Sequence, residues 1–222
     1  MIKIAAVLTG DLIASTKASP SATDRAMDAL STAARRLSYE TEHDTLFTRE
    51  TRFTRYRGDG WQIYLDAPNP VLRACLLLIA SLRASDCGLS TRISAGMGTV
   101  TQLGRSGLSD ASGDAFTISG HGLDGMPRSK RLIIHGSKRL MNWHTAIFDL
   151  ADSQSRRWSR EQAEAIALDL DPECPPTQAE MAERLGITRQ ALQARLSGAG
   201  RNFLSAALYA FESSGYPNED FQ

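Results

Sequence analysis

Arg55-Tyr-Arg-Gly-Asp-Gly-Trp-Gln62 interrupts two alternating segments with a Gly-Asp-Gly tripeptide. Before it, Thr45 to Arg57 alternates polar with apolar residues, including Phe47 and Phe53; after it, Trp61 to Leu65 alternates again. A period of two on both sides of a turn-forming tripeptide predicts a β-hairpin with Asp59 at or near its tip. Gly and Asp also suit such a tip for local reasons, through positive φ and hydrogen bonds to the neighbouring backbone.

The rest of the N-terminal half is organised around that hairpin. Ile2 to Leu8 is a short apolar run with β-branched members, ended by Thr9-Gly10-Asp11, and reads as a buried central strand. Ser21 to Thr41 places Ala26, Met27, Leu30, Ala33, Ala34 and Leu37 on one helical stripe. Pro70 to Arg83 is a strongly apolar helix, and Ser90 to Val100 is a strand containing Gly96 and Gly98. The order βαββαβ predicts an α+β domain with a ferredoxin-like or palm-type sheet. A right-handed crossover sets the first and second strands parallel with the third between them, so the first and third run antiparallel. Asp11 and Asp59, 48 positions apart, are therefore expected side by side at one edge of the sheet.

Composition restricts the classes open to the chain. Its 222 residues and 42% hydrophobic content support a buried core. The longest apolar run, Ala74 to Ala80, falls well short of the roughly 18 residues that span a bilayer, and the apolar start is bounded at once by Gly10 and Asp11. A cytoplasmic protein without membrane anchor or signal is expected. Cys75, Cys87 and Cys174 lack metal-ligand spacing and read as reduced thiols. Net charge is zero, but residues 1–150 hold 18 Lys and Arg against 14 Asp and Glu, while residues 151–222 hold 7 against 11. The first part leans towards anionic ligands; the second lacks the bulk basicity common in nucleic-acid binders.

Beyond Ser112 the chain is glycine-rich through Gly125, Arg131 to His135 reads as another strand, and residues 138 to 150 as a helix or strand on the sheet. Polar residues 151–157 place a domain boundary near 152. In the second part, Thr177 to Leu185 forms one helix, Gly186-Ile187 a turn, and Thr188 caps a second helix, Arg189 to Leu196. Small Ala182 allows a close crossing, and Ile187, Leu192 and Leu196 bury the second helix: helix-turn-helix spacing. Ser159 to Leu170 and Phe203 to Glu212 supply flanking helices. Arg189, Gln190, Gln193 and Arg195 are the DNA-contact candidates, since Thr188 to Asn202 contains no acid. Glu180 and Glu183 lie close by, and such helix pairs also serve as dimerisation or protein-docking units.

Several motifs in order resemble the class III nucleotidyl cyclase fold, and the whole chain resembles the SatD family, which joins such a domain to a C-terminal helix-turn-helix. The residues carrying this are Gly10-Asp11 followed by Ile13, Ser15 and Thr16; Gly58-Asp59-Gly60 with Gln62; Arg92-Ile-Ser-Ala-Gly-Met-Gly98; and Trp158-Ser-x-x-Gln162 leading to Gln178-x-x-x-Ala182. The resemblance implies a cyclase-like domain over residues 1–151 and a helix-turn-helix domain over 152–222. It implies that Asp11 and Asp59 hold Mg²⁺ with a nucleoside triphosphate, two ions stabilising attacking and leaving oxygens where turnover occurs. Ile13, Ser15 and Thr16 would then face the polyphosphate, with Arg55 or Arg57 at phosphate or base, and a homodimer would complete the site. Cyclases of this class also carry an Asn and an Arg on the helix after the glycine-rich stretch. Here the nearest positions are Thr117 and His121, and neither supplies a guanidinium fork for transition-state charge. The leading expectation is a regulator that senses a Mg²⁺–nucleotide and binds DNA. An active cyclase or related two-metal phosphotransferase is the first alternative, and a catalytically dead scaffold using the helix-turn-helix for protein contacts is the second.

Overall fold

A computed structural model describes residues 4–37, 50–56, 58–105, 107–136, 140–172 and 176–214. The chain is a mixed α+β protein built on a five-stranded mixed sheet, with eight α-helices among the described residues. The first part runs β1 (Ile4–Ile13), a short 3-10 turn (Ser15–Lys17), α1 (Pro20–Arg36), β2 (Thr51–Tyr56), β3 (Gly60–Leu65), α2 (Val71–Ala84) and β4 (Ser90–Thr99). It continues through α3 (Asp114–Asp124), β5 (Leu132–Gly136), α4 (Asn142–Ser155), α5 (Arg160–Asp169), α6 (Gln178–Arg184), α7 (Arg189–Gly198) and α8 (Arg201–Glu212).

Strand order is β2-β3-β1-β4-β5. β1 lies between β3 and β4 and is antiparallel to both, β2 pairs antiparallel with β3, and β5 adds parallel to β4. The antiparallel β1–β3 neighbours expected from strand order are therefore present. β1 differs in length from its sequence expectation: it does not stop at Thr9-Gly10-Asp11 but continues to Ile13, because β4 stays paired with it as far as Ile13↔Ser90. Glycine here is not a terminator; it is the one residue that fits beneath Trp61.

The two faces of the sheet have different partners. Ala6, Leu8 and Leu12 of β1, Trp61, Ile63 and Leu65 of β3, and Ile93 and Ala95 of β4 are buried in the same cluster as the apolar stripes of α1 and α2. Burial of each Leu or Ile among them stabilises the fold by about 1.5–3 kcal/mol, and each Ala methyl by less. α2, the most apolar helix, is only 14 residues long, and among the described residues no helix is long and apolar enough to cross a membrane. On the other face Ala5, Val7 and Tyr64 pack with Leu108 and Ala115. α3 lies close here because β4 is bare: an added Cβ on Gly96 would sit 2.5 Å from the Ala115 carbonyl oxygen, and one on Gly98 2.9 Å from the Ala115 amide. Gly96 and Gly98 thus serve close packing.

α4 runs through the position near 152 where the sequence suggests a boundary, and one apolar cluster extends from Ala6 to Phe211. Trp158 is fully buried in it; its indole donates to the Ala199 carbonyl at 3.0 Å, while Arg83 of α2 donates to the Trp158 carbonyl at 2.8 Å. At the other end of α2, Arg73 forks onto Glu212 of α8 at 2.6 and 3.0 Å. The helical part is therefore fastened along α2. Cys75 and Cys87 are buried free thiols, and burial pushes the Cys75 thiol pKa up; Cys174 lies outside the described residues.

Candidate functional site

Asp11 is held by a relay that begins at Trp61. Gly10 pairs with Trp61 in the β1–β3 register, and the indole lies across it so closely that a Cβ on residue 10 would meet Trp61 Cζ2 at 2.3 Å. The indole nitrogen donates to Thr91 Oγ1 at 3.1 Å, and Thr91 Oγ1 donates to the Asp11 carbonyl at 2.7 Å. Strand alternation then turns the Asp11 side chain, like those of Val7 and Thr9, to the α3 face. Arg92 of β4 stands opposite in register and forks onto the carboxylate: Nε donates to Oδ1 at 2.9 Å and the terminal nitrogen to Oδ2.

Asp59 arrives from the hairpin. β2 and β3 pair as far as Tyr56↔Gly60, and Gly58 takes φ +81°, a conformation open to glycine at little cost. The Leu12 amide donates to the Asp59 carbonyl at 3.2 Å, which ties the tip to the end of β1, and the Ser15 hydroxyl donates to the Asp59 carboxylate. Ala14, at φ 64° and ψ 20°, turns the chain out of β1 and presents Ser15 and Thr16 to the hairpin. Arg55 bridges the tip to α1, donating to the Gly58 carbonyl and to Asp24, both at 2.9 Å. Together Ser15, Thr16, Asp24, Arg55, Gly58 and Asp59 border an open groove of about 390 Å³.

The register Asp11↔Gly60 sets Asp11 of β1 opposite the residue that follows Asp59, at one end of the sheet. Around Asp11 the α3 face is polar: Gln62 donates to Thr9 Oγ1 at 3.0 Å, and Thr9 shares a 2.8 Å hydrogen bond with Ser119 of α3. Asp11's hydrogen bonds hold the Arg92 guanidinium pKa above its usual value, and Asp124 and Asp59 add to this through space. Burial, and then Asp124, raise the Tyr56 hydroxyl as well. A hard divalent cation needs carboxylate and hydroxyl oxygens, which Asp11, Asp59 and Ser15 supply, and the guanidinium on Asp11 is a stand-in cation at that position. The donor chemistry thus fits Mg²⁺, although among the described residues no three His, Cys, Asp or Glu side chains form a ready metal cage.

The other sequence candidates disperse. Ile13 ends β1 opposite Ser90, and Arg57 lies outside the described residues. Thr117 is exposed on α3, its hydroxyl donating to its own helix start at Gly113. His121 faces a second cavity of about 580 Å³ with His135, Lys130 and Phe148, not the groove at Asp59. Sequence reasoning did not single out Arg92, Asp124, Thr9 or Tyr56 as site residues. For Arg92 a signal existed: it is the one charge in the apolar strand Thr91 to Met97, and pairing β4 with β1 puts it opposite Asp11.

At the other end of the chain, α6 and α7 meet through a tight turn. Thr177 and Glu180 form a reciprocal cap on α6, Gly186 takes φ +63°, the Ile187 amide reaches back to the Ala182 carbonyl at 3.0 Å, and Thr188 caps α7 by accepting from the Ala191 amide at 3.2 Å. Met181, Ala182, Leu192 and Leu196 are buried between them. Arg189 and Gln190 are exposed at the start of α7, and Arg189 forms no ion pair among the described residues. Gln193 is exposed but donates to Gln178 at 3.2 Å, whereas Arg195 is half-buried and lies 3.4 Å from Glu164 of α5.

The chain matches no protein-family model and no curated protein sequence.

Proposed function

We propose that the chain is a SatD-like cytoplasmic regulator: a ferredoxin-like, cyclase-like domain that binds a nucleotide with Mg²⁺, joined to a helix-turn-helix domain that binds DNA as a homodimer. The observation that carries the first half is the β1–β3 register, which sets Asp11 opposite Gly60, the neighbour of Asp59, while the Asp59 side chain borders an open groove with Ser15, Thr16 and Arg55. In this reading Asp11 and Asp59 bind the metal, Ser15 orients the Asp59 carboxylate, and Ser15, Thr16 and Arg55 meet phosphate oxygens. When bound, Mg²⁺ supplies charge neutralisation for the polyphosphate. The reading is of binding rather than turnover, because α3 brings neither an Asn nor an Arg to the groove.

The second half is supported by the α6–α7 pair, whose exposed leading edge carries Arg189 and Gln190. Arg189 meets phosphate or a guanine edge, and Gln193 meets a base once released from Gln178. Arg195, held by Glu164, contributes less. The test is calorimetric titration of the full chain with ATP and with GTP, each in Mg²⁺, alongside Asp11→Ala and Asp59→Ala. Saturable binding lost in both variants supports the site; heats that are absent, or equal in native protein and variants, reject it. Selection from random-sequence DNA, with Arg189→Ala as control, tests the second half, and recovery of no enriched sequence rejects it.

A further inference from the structure

Arg92 and Asp11 face each other from two long, fully paired strands, so their meeting is set by register and not by a flexible loop. The contact has the two-point geometry that guanidinium groups make with carboxylates, and it engages both oxygens that a divalent ion at Asp11 would use. Neither side chain is sealed: Asp11 is 26% exposed and Arg92 35%, so the pair opens to solvent without disturbing the core. Asp124 at the end of α3 and Asp59 also act on the guanidinium charge through space. Removing the guanidinium leaves the Asp11 carboxylate without its ion-pair partner, and carboxylate oxygens are what a hard cation binds.

We infer that Arg92 is an internal cation that closes the Asp11 edge of the site, and that a divalent metal ion binds there by displacing it. This rests on the metal–nucleotide reading and adds its regulation: metal and guanidinium compete for one carboxylate, so metal affinity is set low by a residue of the chain itself. An ion arriving with a polyphosphate has an advantage over a free ion, because the phosphate oxygens offer the released guanidinium a new partner. Arg92 is thus a positioning residue that makes binding of metal and nucleotide mutually supporting.

The experiment is titration of the full chain with MnCl₂ alone, followed by electron paramagnetic resonance of the free ion, for native protein, Asp11→Asn, Arg92→Gln, Arg92→Lys and Arg92→Gln/Asp11→Asn. Arg92→Gln is expected to bind Mn²⁺ at least about tenfold more tightly than native, equivalent to ~1.4 kcal/mol. Arg92→Lys should fall between them, and the double variant should lose the gain. Thermal unfolding of the same proteins covers a folding defect: Mn²⁺ should raise the midpoint of Arg92→Gln more than that of native protein, or restore its folding if it is unfolded without the ion. Equal Mn²⁺ affinity in native and Arg92→Gln, with binding lost in Asp11→Asn, overturns the competition but leaves the metal site standing. Binding by neither native nor Arg92→Gln, with no Mn²⁺ effect on unfolding, overturns both.

Discussion

The aspartate end of the sheet and the α6–α7 helix pair organise charge in opposite ways. At the sheet, residues far apart in sequence are driven together by strand register: Arg92 neutralises Asp11, and the Ser15 hydroxyl donates to Asp59. In the helix pair, neighbours along the chain make the structure through caps and a glycine turn, and the leading cation, Arg189, stays exposed. A site assembled from distant strands can be held shut by its own counter-ion, whereas a surface helix waits open for an anionic partner.

That contrast can be broken first at the sheet. Gly10→Ala should produce the largest effect, since its methyl would overlap the Trp61 ring and, at 2.6 Å, the Arg92 carbonyl; a loss of about 3 kcal/mol is expected in denaturant unfolding. Gly186→Ala puts a methyl into open space and meets only the cost of positive φ, so a loss of about 1 kcal/mol is expected from the same measurement. Thr188→Ala, which removes the α7 cap, should likewise cost about 1 kcal/mol. If Gly186→Ala proves as damaging as Gly10→Ala, the division between register-built and locally built regions fails.

Ligand binding sharpens the comparison at smaller energies. Arg189→Ala should weaken DNA binding and lower the salt slope by about 1, as loss of one phosphate contact requires. Arg195→Ala should change that slope less, because Glu164 already compensates its charge. Equal slopes for the two variants would contradict the placement of Arg195.

What was legible in the sequence follows the same divide. The helix pair could be read closely, from Thr188 as cap to Leu192 and Leu196 as core, because capping and 3.6-residue periodicity are local. The hairpin at Asp59 and the antiparallel pairing that sets Asp11 opposite Gly60 were also legible, since strand order restricts strand direction. The Asp11–Arg92 fork was not, because it depends on β1 continuing past Gly10 and on the β4 register, neither of which a local pattern reports. The seam at Trp158 escaped for a related reason: its partners Ala199 and Arg83 lie 41 and 75 positions away.

The central claim is that Asp11 and Asp59 together bind a metal–nucleotide complex. Calorimetric titration of native protein and Asp59→Ala with Mg²⁺–GTP and Mg²⁺–ATP tests it most directly, because Asp59 lies at the exposed hairpin tip and its removal leaves the core intact. One nucleotide should bind saturably to native protein, with affinity falling at least about tenfold, or ~1.4 kcal/mol, in Asp59→Ala. Identical isotherms for the two proteins, or no binding of either nucleotide to native protein, would contradict it.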